Sequence, residues 1–549
     1  MGIGYKSKAT YSTFLSISFC IGILAYLISI IWFNFNGSSF YIFDVYSDAL
    51  VAKYMADEQT LFPSNWVFGN QYYVAATPVV AAFVYSICHD MMLSMGIASC
   101  IMTAMIIFSF VWCCKPFVKR DSIIVGIFCL IGAVILGNGI CTYKEGMQFL
   151  YTLASFYACY VIGFLFTVGA YYRLKNGLQL SLFAYAAIIM LNVALGMQSP
   201  RQILILNIPL LGAEVLSVFL YYLKNKRFYL NKKALLFVVI SFAAELLGLW
   251  LVTLFEINTE HLISDLSIVR SFPEFLMKIR IALGNLQAIS GLIFLSHGLK
   301  WIPLGLIGLF IILVMVIALL RIILTKDLSV SAQFFLITLL SVACVFFVGI
   351  TVFVSESRYF FMRHVLASFA FMYLWERLPE SWWKKLGFTA LLLCGFLNLF
   401  YNVYPDYKKT DSLEQFYEDI GTQLLEQGKD CVLVDWLSHP TVAACSDDEI
   451  DCVTFYPDFD NFRDTGAIIE TVVYLRPIDI IENIDPAKTV FLVNDYPDIY
   501  MPSFIDQLND SAPDDYMEIF NEKLTHVKTF EHELLNVLVY TFDDASIIK

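Results

Sequence analysis

Apolar runs of about 20 residues recur through the first 404 residues, near 12–33, 96–114, 122–141, 147–170, 180–196, 202–223, 234–255, 301–320, 332–354, 364–379 and 386–403. About 20 apolar residues is the length that carries a helix across the hydrocarbon core of a bilayer. Within hydrocarbon the backbone must satisfy its own hydrogen bonds, so only helices and closed barrels cross it. These runs are apolar on every side rather than alternating, which argues against an outer-membrane barrel. Only 15% of the residues are charged, where a soluble domain has about a quarter. The pattern predicts an α-helical polytopic membrane protein with about 11 transmembrane helices.

Charge divides the chain. From Pro405 onward 9 Lys and Arg face 31 Asp and Glu, whereas the first 404 residues carry 26 against 17. This predicts a membrane domain over 1–404 and an acidic soluble domain over 405–549. The acidity argues against nucleic acid or anionic lipid as a partner of the second domain. An amphipathic stretch near 411–427 ends at Gly428, a helix with its stop signal. The runs CVLVDW, CVTFY, VVYLRP, TVFLVND and NVLVYTF follow between Asp-, Pro- and Gly-rich turns, so a small α/β domain is expected. Ten of the 13 cysteines precede Pro405, mostly inside apolar runs, where they act as small hydrophobes. The tail holds Cys431, Cys445 and Cys452, and the one disulfide considered there joins Cys445 to Cys452. The first apolar run follows Lys6 and Lys8 with no small-residue cleavage site, and is read as a membrane helix.

Loop charges set the orientation. With the N-terminus inside, 17 Lys and Arg fall in inner loops and 9 in outer ones, as the positive-inside bias requires. The apolar segments 76–93 and 281–297 are then outer interfacial or re-entrant helices. Two outer loops result, 34–95 and 256–300, and the acidic tail lies on the same outer face.

The first of these loops carries the densest candidate chemistry. Its acids are Asp44, Asp48, Asp57 and Glu58. Asp44 and Asp48 stand four residues apart in a helix-compatible run, so they share a helix face. Neighbouring carboxylates can act as general base, metal ligand or sugar-hydroxyl acceptor. The plain alternative is that an extramembrane loop simply carries acids, and Asp57 and Glu58 are read as solvated turn residues. Three outer arginines stand at helix starts: Arg201 in GMQSPRQ, and Arg358 and Arg363 in SESRYFFMRH. A guanidinium fork fits phosphate oxygens, and snorkelling to lipid headgroups is the competing use. Glu145 in TYKEGMQ is a second-carboxylate candidate that also suits a helix N-terminus. His297 is read as structural. Glu214 and Glu245 lie midway along neighbouring spans, where a carboxylate is costly and counts as functional until a partner is found. They are expected to share a contact or a proton. The chain holds no Walker loop, GxGxxG, HExxH or GxSxG.

The run FDVYSDALVAKYMADEQTLFPSNW, followed by ATPVVAAFVYSICHDMMLSMGIASC and later by SRYFFMRHV, resembles the GT-C glycosyltransferases. Protein O-mannosyltransferases and lipid A aminoarabinose transferases are of this kind. The resemblance spans roughly residues 10–400. It implies a polyprenyl-phosphate-linked sugar donor, an extracytoplasmic acceptor and inverting transfer. It also implies an Asp general base, Asp44 by its spacing to Met55 or Asp48, and an Arg grip on the lipid phosphate from Arg201, Arg358 or Arg363. It leaves metal dependence open, a divalent ion being compatible. Two departures leave the subfamily and the sugar open: Val45 follows Asp44 where an Asp-Glu doublet is usual, and Ala-Thr-Pro-Val replaces His-Pro-Pro-Leu. The alternative from another class is a transporter or flippase for a lipid-linked or polar solute, resting on Glu214 and Glu245.

Overall fold

The computed structural model describes residues 3–36, 44–69, 71–136, 154–227, 230–259, 268–296, 298–352, 356–402, 413–435, 441–446, 448–459, 462–472, 476–477, 484–495, 512–532 and 535–548. Each of the expected apolar runs overlaps a helix. In chain order these are α1 (Ile3–Asn36), the loop helix α2 (Asp44–Asp57), α3 (Thr77–Cys88), α4 (Met91–Cys114), α5 (Arg120–Phe128), α6 (Ala154–Lys175), α7 (Leu182–Gln198), α8 (Ile208–Asn225), α9 (Lys232–Val252), α10 (Phe272–Ile289), α11 (Ile302–Thr325), α12 (Val330–Thr351), α13 (Met362–Arg377) and α14 (Trp382–Asn402). Among the described residues, seven helical stretches are long and apolar enough to cross a membrane: Phe14–Phe35, Met91–Cys114, Ile203–Leu223, Lys232–Val252, Leu299–Thr325, Val330–Thr351 and Trp382–Phe400. The remaining expected spans, α5, α6, α7 and α13, are helical but shorter or less apolar. The chain is a multi-pass membrane protein whose outward side chains, such as Phe14, Leu24, Phe183 and Leu324, are exposed apolar groups suited to lipid contact.

The short helices behave as their lengths dictate. α3 has 12 residues, about 18 Å of helix against a hydrocarbon core of about 30 Å. Side-chain caps start several helices: Asp90 accepts from the Leu93 amide, Ser181 from Ala184, Asn231 from Ala234 and Ser329 from Ala332. Each satisfies an amide the first helical turn would orphan. α7 and α9 cross closely, because a β-carbon at Gly248 would lie 2.1 Å from the Val193 carbonyl oxygen.

The C-terminal region is an α/β fold. A helix, α15 (Leu413–Glu426), precedes a six-stranded sheet of order β4-β3-β2-β6-β8-β7, built from β2 (Cys431–Asp435), β3 (Asp451–Pro457), β4 (Ile469–Val472), β6 (Thr489–Asp495), β7 (Thr525–Glu531) and β8 (Asn536–Thr541). β2 runs parallel to both β3 and β6, and the outer pairs are antiparallel. β2 and β3 are joined through the short α16 (Thr441–Cys445), α17 (Phe462–Thr465) follows β3, and α18 (Asp514–Lys523) precedes β7. Four of the five expected strands are β2, β3, β6 and β8; of the fifth, VVYLRP, Val472 ends β4, Arg476 and Pro477 lie in a separate short strand and 473–475 lie outside the described residues, while most of β4 and the edge strand β7 carry no such sequence signal. The considered Cys445–Cys452 bridge is not formed, and both residues keep their thiols: Cys445 ends α16 while Cys452 is buried in β3.

The polar loops and the tail share one face of the membrane domain. β1 (Trp66–Val67) in the first loop pairs antiparallel with β5 (Arg476–Pro477) of the tail. The Phe68 amide donates to the Asn258 carbonyl at 2.8 Å, and the Asn258 side-chain amide donates to the Ser64 carbonyl at 2.8 Å, joining the first loop to the second. In the orientation expected from the loop charges, this is the outer face. Single cysteines at Leu61 and Lys226, in an otherwise cysteine-free chain, should therefore react with an impermeant maleimide from opposite sides; labelling of both from one side would refute the orientation.

Candidate active site

α2 is the centre of the first loop. Its first two turns read DVYSDALVA, with Val45, Tyr46, Ala49, Leu50, Val51 and Ala52 all buried. Apolar residues on several sides of a helix must each be covered, and α2 packs against α3, α4 and, from the tail, α16. Asp48 lies within this packing at 0% exposure. Asp44 is the first residue of the same helix, so the four-residue spacing holds as one helix face. A carboxylate held out of water is a stronger base toward a bound hydroxyl than a solvated one. The other two acids of the loop lie at the far end of α2. Asp57 lies 3.3 Å from Lys53 Nζ, and Glu58 accepts from the Ser64 amide at 2.8 Å and its hydroxyl at 3.1 Å, closing the turn after α2.

Two of the three arginines come together. Arg201 precedes the π-helical turn 203–207 that opens α8, and Arg358 sits in the 3₁₀ turn Ser357–Phe360 before α13. They share the Tyr359 ring, with Arg201 at 5.6 Å and Arg358 at 5.9 Å from its centroid. Tyr157 flanks Arg201 at 5.7 Å and stacks on Phe361 with centroids 4.7 Å apart. Burial pushes the Tyr359 phenol up, against the pull of both arginines, so it stands as a neutral ring beneath two cations. Arg358 is ion-paired to Glu356. Arg201 donates to the neutral Gln71 Oε1 at 3.1 Å, and among the described residues no carboxylate lies within ion-pair reach of it. A guanidinium in such a setting has the donors to receive an anion.

Gln71 and Gln198 were not singled out in the sequence. Gln198, at the end of α7, accepts from the Val74 and Ala75 amides at 3.4 and 3.2 Å, and its carbonyl accepts from the Tyr72 amide at 3.1 Å. The return limb of the first loop thus hangs from the turn that presents Arg201, and Gln71 on that limb holds the guanidinium. Their one signal was being amides beside Arg201 or beside an apolar run.

Arg363 takes another role. It is 2% exposed and donates to the Val134 carbonyl at 2.6 Å, closing the end of the π-helical turn Cys129–Ala133. It is not brought to the Tyr359 cluster. Glu145 and His297 lie outside the described residues. The expected Glu214–Glu245 contact does not form. Glu214 accepts from Tyr171 and from Lys175 Nζ at 2.5 Å, whereas Glu245 accepts from the Asn207 amide. α9 packs mainly on α7 rather than on α8, which carries the two carboxylates apart. Among the described residues no group of three or more His, Cys, Asp or Glu side chains is placed to hold a metal ion.

No family model matches this chain, and no curated protein sequence does. Among solved structures, the crystal structure of ArnT from Cupriavidus metallidurans bound to undecaprenyl phosphate superposes with a TM-score of 0.51 at 11% identity, over 98% of this chain and 99% of that one. At that identity the likeness is one of fold, and it runs through both the helical domain and the tail. The chain has an ArnT-like fold.

The two intramembrane carboxylates should respond differently to neutralisation. Glu214→Gln strips Lys175 of its counter-ion and should cost about 1–3 kcal/mol. Glu245→Gln keeps an oxygen for Asn207 and should stay within about 1 kcal/mol. The order of thermal unfolding midpoints in detergent checks this, and the reverse order would refute the pairing.

Proposed function

We propose that this protein is a membrane glycosyltransferase. It moves a sugar from a polyprenyl-phosphate-linked donor to an extracytoplasmic acceptor, a cell-envelope glycan, lipid or protein, with inversion. The observation that carries this reading is the pairing, within one loop, of a buried acid and an anion site: the loop that bears Asp48 also bears Gln71, which holds the uncompensated Arg201. The solved ArnT structure, which shares the fold, is of a protein bound to undecaprenyl phosphate. That lipid carries the kind of phosphate the Arg201–Tyr359–Arg358 cluster suits.

The chemistry follows from charge. The acceptor hydroxyl loses its proton as its oxygen attacks the anomeric carbon, and the Asp48 or Asp44 carboxylate takes that proton. The bond between the anomeric carbon and the phosphate oxygen breaks with its electron pair on the phosphate. The growing negative charge is met by Arg201 and Arg358. One displacement inverts the anomeric centre. Arg363 supports this arrangement by closing the Cys129–Ala133 turn, and Glu145 is kept as a second carboxylate. Residues 405–549 form an extracytoplasmic domain on the same side as the site.

Sugar transfer by the purified protein from polyprenyl-phospho-sugars tests the proposal. The variant that removes the base, Asp48→Asn or Asp44→Asn, should lose about 10²–10⁴-fold in kcat. Arg201→Gln should lose about 10²–10³-fold, with Tyr359→Leu weakening donor affinity. Full transfer by both Asp variants would overturn the assignment of the base to α2.

A further inference from the structure

We propose that the C-terminal domain positions α2 through a charged latch, Lys53 to Asp448, which makes these two residues positioning residues for the transfer. This rests on the reading of α2 as the helix that carries the base. Lys53 lies on α2 five residues beyond Asp48. Its ammonium is 3.0 Å from Asp448 Oδ2, across 395 residues of chain, and 3.3 Å from Asp57 Oδ2. The two contacts differ in kind. Asp57 is one helical turn away and its side chain is 55% exposed, whereas Asp448 is 13% exposed against 21% for Lys53. The Asp448 contact is therefore the sheltered one, and the one that joins two domains.

The fold aims Asp448 at its partner. It stands at φ 66° just past α16, a left-handed backbone that Asp tolerates better than most residues. Its amide donates to the Ala443 carbonyl at 2.7 Å, which locks that turn, while the Ser446 hydroxyl donates to Val442 at 2.7 Å. α16 itself packs on α2 and α4. A second attachment lies close by. Trp66 and Val67 pair with Pro477 and Arg476 of the tail, and the Trp66 ring lies 5.6 Å from that of Tyr54, the neighbour of Lys53 on α2. The tail therefore holds the C-terminal half of α2 and the turn that follows it, while the N-terminal half presents Asp44 and Asp48. Burial pushes the Asp448 carboxyl up while Lys53 pulls it down, as expected for a charge kept from water by this packing.

A single ion pair that water still reaches from both sides contributes modestly to global stability. A small misplacement of a reacting group, in contrast, can cost about 10²-fold in rate. The latch therefore predicts a loss of rate out of proportion to any loss of stability. In the full-length protein, Asp448→Asn and Lys53→Gln should each lower kcat about 10-fold with donor KM unchanged. The double variant should be no slower than either single one, since the two act as one pair. Lys53→Arg should restore most of the rate, and Asp57→Asn should transfer like the wild type. A second readout does not depend on activity: hydrogen exchange of the 49–57 amides should speed up in Asp448→Asn while α3 and α4 keep their rates. Unchanged kcat, or additive losses in the double variant, would overturn the positioning role. Unchanged α2 exchange would overturn the latch itself. Should the wild type transfer no sugar, the glycosyltransferase reading fails, and the exchange experiment still decides whether the tail holds α2.

Discussion

The structure depends on one constraint: a charge that enters hydrocarbon must bring its partner with it. Glu214 does so with Lys175 and Tyr171, Glu245 with Asn207, and Arg363 with the Val134 carbonyl. Arg173, near the end of α6, lies over the Trp112 ring at 3.6 Å and donates to the carbonyl of Gly169 at 2.9 Å. Each of these groups has at least one hydrogen-bond partner within the fold. Arg201 has neutral partners as well, an amide and two rings, and differs in sharing one of those rings with a second cation, Arg358.

The same economy explains the loop opposite that charge. α2 is buried around nearly its whole first half, packed by α3, α4 and the tail helix α16. An acid carried on it is then buried by the same packing, without any special pocket being built for it. The tail strand β5, the 256–300 loop and the end of α7 each contribute backbone hydrogen bonds to the loop. A long polar connection thereby becomes a fixed part of the fold.

Some of this was legible in the chain. The spans follow from run length, the tail strands from short β-branched runs between turn residues, and the end of α15 from Gly428, which takes φ 72°. Asp44 and Asp48 fall on one helix because four-residue spacing means one face in any helix. Other features carry no such mark. β7 is solvent-exposed along nearly all its length, so it shows no alternation to read. Arg363 is only five residues from Arg358, yet the start of α13 turns it inward. Gln71 looked like any polar loop residue until Gln198 fixed the limb that carries it.

The sequence by itself determined that this is a multi-pass helical membrane protein with an α/β tail, because hydrocarbon length and backbone satisfaction act on each segment separately. It also determined which charges would need explaining. Only the tertiary structure decided which charges meet. Helices apolar on every side do not encode their neighbours, so nothing local set Glu245 on Asn207 rather than Glu214, or brought Arg201 and Arg358 to one tyrosine. Lys53 and Asp448 meet across 395 residues for the same reason: the contact belongs to the packing of two domains, and neither segment carries it alone.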